Sequence, residues 1–211
     1  MPLAWPAEAR LFRHTDFWLE RRYPGVGLLL DAYAVVDMGV KAAAGRDGRV
    51  AACHAGCDQC CRQPIPVTPL EVLALHSHAR HRLPQDRLAG LVDRLAAFQG
   101  DKKDMTLPCP FLWDGSCMVY PVRPVACRQY MVFGKACARG EDASRTRPAD
   151  LLTPFYDYML TGLLRTLPWY AGHEPCPPEH PTEESAREFF LSVTTVVQLV
   201  TWNRFFRADS L

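Results

Sequence analysis

Eight of the nine cysteines in this 211-residue chain fall between Cys53 and Cys137, and that bunching constrains the fold more than any other feature. Only Cys176 stands apart. The same stretch is broken by prolines and glycines, most densely from Pro108 to Pro124. A chain interrupted this often cannot run as one long helix or a broad sheet. The thiol-bearing part is therefore expected to be an irregular module, held by something other than a backbone ladder.

The remainder reads as helix. Ala7 to Arg22 gives a first helical pattern, closed by Pro24-Gly25. Gly27 to Ala44 places Leu29, Tyr33, Val36 and Val40 at helical spacing, with Asp31 and Asp37 on another face, and Gly45-Arg46-Asp47-Gly48 punctuates it. Thr68-Pro69-Leu70-Glu71 is a capping signature: Thr68 caps, Pro69 suits the first helical position, and Glu71 bonds back to the Thr68 amide. That helix is expected to reach about Arg82. Pro84 opens another, with Leu88, Leu91, Val92, Leu95 and Phe98 as its apolar stripe and Gly100 at its end. Helical pattern returns at Ala149 to Leu167. Pro168 to Pro181 reads as a loop. A last helix from about Thr182 carries Phe189, Phe190, Val193, Val196, Val197, Val200 and Phe205. These aromatic stripes read as core packing. The expected fold is mainly α: a single domain over residues 1–211, its helices enclosing a cysteine-rich module over about 53–137.

Within the module, Phe111-Leu112-Trp113 and Met118-Val119-Tyr120 flank Asp114-Gly115, a hairpin-turn dipeptide. The spacing predicts a two-stranded clip that brings Cys109 and Cys117 together. Arg123-Pro124 then starts a short helix bearing Cys127 and Arg128, whose positive end favours a thiolate.

Charge excludes some roles. The formal net charge is +1, so nothing global points to nucleic acid or an anionic membrane. Arg10, Arg13, Arg21 and Arg22 read as solvated helix faces. The N-terminal residues lack a signal-peptide pattern, and no apolar run reaches the roughly 18 residues of a spanning helix. A cytoplasmic location is expected, with no membrane association. In a reducing compartment, clustered thiols serve as metal ligands or redox groups more often than as structural disulfides.

The first cluster reads Cys53-His54-Ala55-Gly56-Cys57-Asp58-Gln59-Cys60-Cys61. Two residues between Cys57 and Cys60 let the chain turn so that both sulfurs converge. Gly56 supplies backbone freedom where amides approach sulfur. Adjacent Cys60 and Cys61 normally point apart, which sits uneasily with one small tetrahedral ion and better with a polynuclear cluster. A thioredoxin-type switch at Cys57/Cys60 lacks its βαβ context. The Cys53-x3-Cys57-x2-Cys60 spacing also occurs in radical S-adenosylmethionine enzymes. Here Gln59 replaces the usual aromatic, and strand–helix alternation is missing. His76, His78 and His81 read as a solvated helix face, and His54 as subordinate to the thiols.

Cys57-Asp-Gln-Cys60-Cys61, Cys109-Pro-Phe-Leu, Cys117-Met-Val-Tyr120 and Arg123-Pro-Val-Ala-Cys127-Arg128 together resemble the YkgJ-like cysteine-cluster family. Its pattern is Cys-x-x-Cys-x-x-Cys-Cys; here three residues separate Cys53 from Cys57. The resemblance covers about two-fifths of the chain and implies chelation of zinc or iron, often as an iron–sulfur cluster. It implies Cys53, Cys57, Cys60, Cys61, Cys109, Cys117, Cys127 and Cys137 as metal ligands. Tyr120, Arg123 and Arg128 lie inside its motifs and are the candidates for supporting the cofactor, the arginines by offsetting thiolate charge or binding cysteine carbonyls. One relative, the flagellin lysine methylase, shares such a cluster, but no Gly-rich S-adenosylmethionine motif is present here.

The expected function is metal binding in a structural or electron-transfer role, with an unknown protein or redox partner. Dispersed spacings in the second half favour iron–sulfur over zinc. The alternatives are a metal-dependent enzyme, such as a methylase or oxidoreductase, and a zinc-stabilised interaction module.

Overall fold

A computed structural model describes residues 21–97 and 105–206. Most of the Ala7–Arg22 pattern, with Arg10 and Arg13, lies outside the described residues, as do Phe98 and Gly100. Arg21 and Arg22 are exposed.

The longest described helix, α1 (Val26–Asp47), buries Leu29, Tyr33, Val36 and Val40. It ends at Gly48, whose left-handed backbone (φ 74°) lets its N–H reach the Ala44 carbonyl. A 3₁₀ turn, Gln59–Arg62, carries Cys60 and Cys61. The two-residue strand β1 (Pro66–Val67) leads into α2 (Pro69–Arg82). Its N-terminus is the expected capping box: the Thr68 N–H donates to Glu71 Oε2 at 2.8 Å. Helix α3 (Gln85–Ala97) buries Leu88, Leu91 and Leu95.

The hairpin β2 (Leu112–Trp113) and β3 (Ser116–Cys117) follows. It pairs Leu112 with Cys117 and Trp113 with Ser116. Its second strand comes earlier than the expected Met118–Tyr120. Asp114 and Gly115 both have positive φ (47° and 73°), so the turn is only two residues long and pairing must resume at Ser116. Met118 still donates to the Phe111 carbonyl at 2.9 Å, and Tyr120–Val122 becomes a 3₁₀ turn. The expected short helix is α4 (Val125–Gln129).

Short α5 (Ala143–Thr146) and a 3₁₀ turn at Pro148–Asp150 precede α6 (Tyr156–Leu164). The Ala149–Leu167 pattern is thus helical only in its centre, because Pro148 and Pro154 punctuate its start. Within the expected Pro168–Pro181 loop, α7 (Leu167–Tyr170) adds one turn, with Pro168 at a tolerated first-turn position.

Helix α8 (Glu183–Val193) starts from Thr182 as expected, but it stops at Val193. Thr195–Val196 forms β4, antiparallel to β1 with Pro66 opposite Val196. The Thr194-Thr195-Val196-Val197 run is β-branched throughout, which favours extended backbone over another helical turn. A last turn, α9 (Asn203–Phe206), buries Phe206.

The fold is mainly α, with two small two-stranded sheets. Its backbone is the pairing of α1 with α6. A Cβ added to Gly39 would stand 2.4 Å from the Tyr158 Cβ, and one on Gly162 would stand 2.9 Å from the Ala32 carbonyl oxygen. The two helices therefore touch where only glycine fits. Around this pair, one apolar cluster runs from Leu29 and Val36 through Leu70 and Leu75 to Phe111, Val119 and Trp202. It reaches directly under the cysteine-bearing segments. Among the described residues, no helix is long and apolar enough to cross a membrane.

The helix α2 histidines are not uniformly solvated. His81 is exposed, and its Nε2 lies 2.6 Å from the Tyr23 hydroxyl. His76 turns inward, against the rings of Tyr23, Phe205 and Phe206. Burial pushes its pKa from 6.5 to about 4.

Candidate metal centre

No cysteine is in a disulfide. The eight thiols of the module come from loops, short turns and the hairpin.

The first segment places Cys53, Cys57, Cys60 and Cys61. Gly56 has φ 86°, the left-handed conformation expected of it. The Cys57 N–H donates to the His54 carbonyl at 3.1 Å, and that of Cys61 to the Asp58 carbonyl at 3.0 Å, so the chain turns twice in nine residues. The adjacent thiols do not point apart. In the tight 3₁₀ turn Cys60 and Cys61 share a hydrogen bond. That bond makes one thiolate easy and the second hard. Cys60 falls to about 7, whereas Cys61 is driven up by Cys60, by burial and by Cys109 and Cys117. His54 stays exposed, with Nδ1 2.9 Å from the Ala55 carbonyl oxygen.

The hairpin carries Cys109 and Cys117. The Cys109 N–H donates to the Cys61 carbonyl at 2.6 Å, stitching the two halves of the cluster together. Helix α3 clamps the hairpin from behind. Trp113 sits over Gly90, where a Cβ would stand 2.5 Å from the indole. Arg87 and Arg94 lie over the same ring at 5.3 and 4.6 Å, and Arg94 donates to the Leu112 carbonyl. Gln198 holds both halves from the other side. Its Oε1 accepts from Ile65 N at 3.3 Å, and its Nε2 donates to the carbonyls of Gln63 and Leu107.

Burial dominates the electrostatics here. Cys109 is pushed up to about 12, mainly by burial. Cys127, on α4, is raised by burial and then by Cys109, Cys60 and Cys117. This corrects the expectation that the helix start would favour its thiolate: a turn and a half of helix supplies less than burial removes. Cys60, Cys61, Cys109, Cys117 and Cys127 thus lie within electrostatic reach of one another. The outer three, Cys53, Cys57 and Cys137, act on one another, and Cys60 links them to the inner five by acting on Cys53. Cys53 Sγ accepts from Val132 N at 3.4 Å, and Arg147 reaches Cys137 Sγ at 3.8 Å. Arg147 is itself fixed by Glu141 at 2.8 Å, which holds the Glu141 carboxyl down at about 2. Cys57 acts electrostatically on both Cys53 and Cys137. Cys176 is exposed.

The three flanking candidates separate. Arg128 is buried and turned toward the scaffold. It stacks on Tyr33 at 3.9 Å, pairs with Asp37 at 2.6 Å, and donates to the carbonyls of Pro121 and Arg123. Arg123 lies over the exposed Tyr120 ring at 3.9 Å and lowers the Cys117 thiol against its burial.

As they stand, no three Cys, His, Asp or Glu side chains among the described residues are close enough to enclose one ion. The donor chemistry nonetheless fits a thiophilic metal. Buried neighbouring thiols resist ionising together, and a cation beside them removes that resistance by displacing their protons. The inner five exceed the four ligands of one tetrahedral ion.

Sequence reading alone missed Gln198, Gly90 and the inward role of Arg128. The available signals were a polar residue inside the apolar run Val196-Val197-Gln198-Leu199-Val200 and a glycine within a helix.

Comparison with known families agrees with this chemistry. Residues 52–147 match the family model CxxCxxCC, described as a "putative zinc- or iron-chelating domain". No curated protein and no solved structure matches the chain.

Proposed function

We propose, from the match of residues 52–147 to the CxxCxxCC model, that this protein holds an iron–sulfur cluster in a structural or electron-transfer role in the reducing cytoplasm. The observation that carries the reading is the group of five thiols, Cys60, Cys61, Cys109, Cys117 and Cys127, that three segments bring near enough to raise one another's ionisation cost. One zinc ion takes four ligands, one fewer than these five thiols. Such a cluster supplies one-electron chemistry or rigidity when bound.

The chain's own residues would shape that chemistry. Phe111, Val119 and Val122 belong to the same apolar cluster as Cys109, with Cys61, Cys117 and Cys127 packed against it. The nearby Arg123 guanidinium offsets thiolate charge at Cys117. Tyr120, 59% exposed beside it, marks the face where a protein redox partner would approach.

The test is anaerobic purification with metal analysis and a visible spectrum. The expected protein is brown, and its visible band is lost in Cys60→Ser and Cys127→Ser. Colourless protein carrying stoichiometric zinc would overturn the iron reading and leave a zinc-stabilised module. A folded wild type with neither metal would overturn both.

A further inference from the structure

We propose that Glu71 is the positioning residue through which helix α2 sets the place of Cys127 in the thiol cluster. The inference rests on the metal-site reading above, and its test separates the two.

Glu71 is 3% exposed, and a carboxylate so placed is costly unless its oxygens are satisfied. Its sequence position explains half of its bonding. Oε2 accepts from Thr68 N at 2.8 Å and Thr68 Oγ1 at 3.1 Å, closing the capping box of α2. That role leaves Oε1 over. Oε1 accepts from the backbone N–H of Val125 at 2.8 Å, 54 residues further along the chain.

Val125 is the first residue of α4. The helix has only five residues, far short of what sustains itself by its own bonds. Its N-cap, Pro124, provides no side-chain cap. Glu71 supplies the missing acceptor from outside. Cys127 lies two residues beyond Val125, within the same turn, so the carboxylate and the thiol move as one piece. Two further contacts pin the approach to α4: the Tyr33 hydroxyl donates to the Val122 carbonyl at 3.4 Å, and Arg128, the residue after Cys127 in the same turn, holds the Pro121 carbonyl at 2.6 Å. Glu71 thus bridges the capping box of α2 to the turn that bears Cys127.

Three variants test the bridge. Glu71→Gln keeps the volume but offers one acceptor oxygen and two N–H donors to three donors already present, so a backbone N–H loses its partner. Val125→Pro removes the N–H itself at a helix position that tolerates proline, and leaves Glu71 intact. Thr68→Val removes the hydroxyl bond to the same carboxylate and leaves Val125 untouched. The readout is alkylation of each cysteine by N-ethylmaleimide in chelator-stripped protein, mapped by mass spectrometry. One lost hydrogen bond corresponds to roughly a tenfold change in local opening. Glu71→Gln and Val125→Pro are expected to raise the rate at Cys127 about tenfold and leave Cys109 unchanged. Thr68→Val is expected to lower the melting temperature and leave Cys127 protected.

A cobalt(II) titration of the same proteins gives the second readout. Both bridge variants should lose intensity in the thiolate–cobalt bands relative to wild type. Equal labelling of Cys127 in all three variants, or none in Val125→Pro, would overturn the inference. A wild type that gives no thiolate–cobalt bands would instead overturn the metal reading, whatever the labelling pattern shows.

Discussion

The helical scaffold and the thiol-bearing segments solve the same problem by opposite means. In the α1–α6 pair, helical ladders satisfy the backbone, and glycine lets the axes close until Gly162 meets the Ala32 carbonyl. Apolar side chains such as Val36 and Leu160 are buried there, and Arg165 pairs with Asp31 at 3.9 Å at the end of α6. Around the cysteines, regular pairing shrinks to two-residue strands, 3₁₀ turns and the single bridges Ala51–Phe133 and Val132–Leu151. The backbone groups there are met instead by side chains reaching in from elsewhere: Glu71 to Val125, Gln198 to Gln63, Ile65 and Leu107, and Arg94 to Leu112. The scaffold is held by area, while the thiol region is held by a few polar anchors and by whatever its sulfurs bind. Damage to the scaffold should therefore cost stability smoothly. Damage to the anchors or the metal should free one region and spare the other.

Stripping the metal should break the comparison most sharply. A bound structural metal contributes on the order of 10 kcal/mol to folding in small thiolate sites. With chelator, limited trypsin digestion should cut at Lys135 or Arg139 while Lys41, inside α1, stays protected. Simultaneous loss of both regions would show that the scaffold depends on the metal too.

Gly162→Ala attacks the other side. The added methyl meets a carbonyl oxygen in a helix that cannot swing away, and overpacking of this kind costs about 2 kcal/mol. The urea midpoint should fall accordingly, with metal per folded molecule unchanged. Lost metal would mean that the regions are not separable.

Acid should also act first on the scaffold. His76 ionises at about 4 when folded and near 6.5 when free, so the unfolded chain takes up the proton first. Its contribution is complete above pH 6.5 and is lost as pH falls toward 4. Arg80 and His81 add to that depression from the same helix. Because the ring is only part-buried, the effect is about 1–2 kcal/mol. Urea midpoints at pH 7 and pH 5 should converge in His76→Leu; an unchanged pH slope would refute the assignment.

This division also explains what was legible beforehand. Thr68-Pro69-Leu70-Glu71, Asp114-Gly115 and Arg123-Pro124 are local devices, and each made the element it announces. The cysteine bunching announced the metal chemistry for the same reason. The misread parts depend on distant partners. Val196 and Val197 fit a helical stripe as well as a strand, and only the pairing with Pro66 decides between them. Cys60 and Cys61 converge because a 3₁₀ turn tightens the chain there, which a list of spacings does not contain. Glu71 carried a complete local explanation that concealed a second bond to a residue 54 positions away. His76 looked solvated because Phe205 and Phe206 reach it from the far end of the chain.

The smallest effect probes the seam between the regions. Arg128 is 6% exposed and grips the Pro121 and Arg123 carbonyls, but its ion-pair partner, Asp37 on α1, is 49% exposed. Half-exposed pairs contribute less than about 1 kcal/mol, because water and salt screen the attraction. Asp37→Asn keeps a hydrogen-bond acceptor and removes only the charge. Its melting temperature should therefore drop by a few degrees at most. Its larger consequence should be kinetic: with Arg128 less firmly held, the loop before α4 opens more often, and metal should pass to a competing chelator about twofold to fivefold faster. In about 1 M salt the wild type should approach the variant, since screening removes the same attraction that the substitution does. If the variant instead lost as much stability as Gly162→Ala with no change in metal release, Arg128 would belong energetically to the scaffold, and the boundary drawn here would move to the far side of α4.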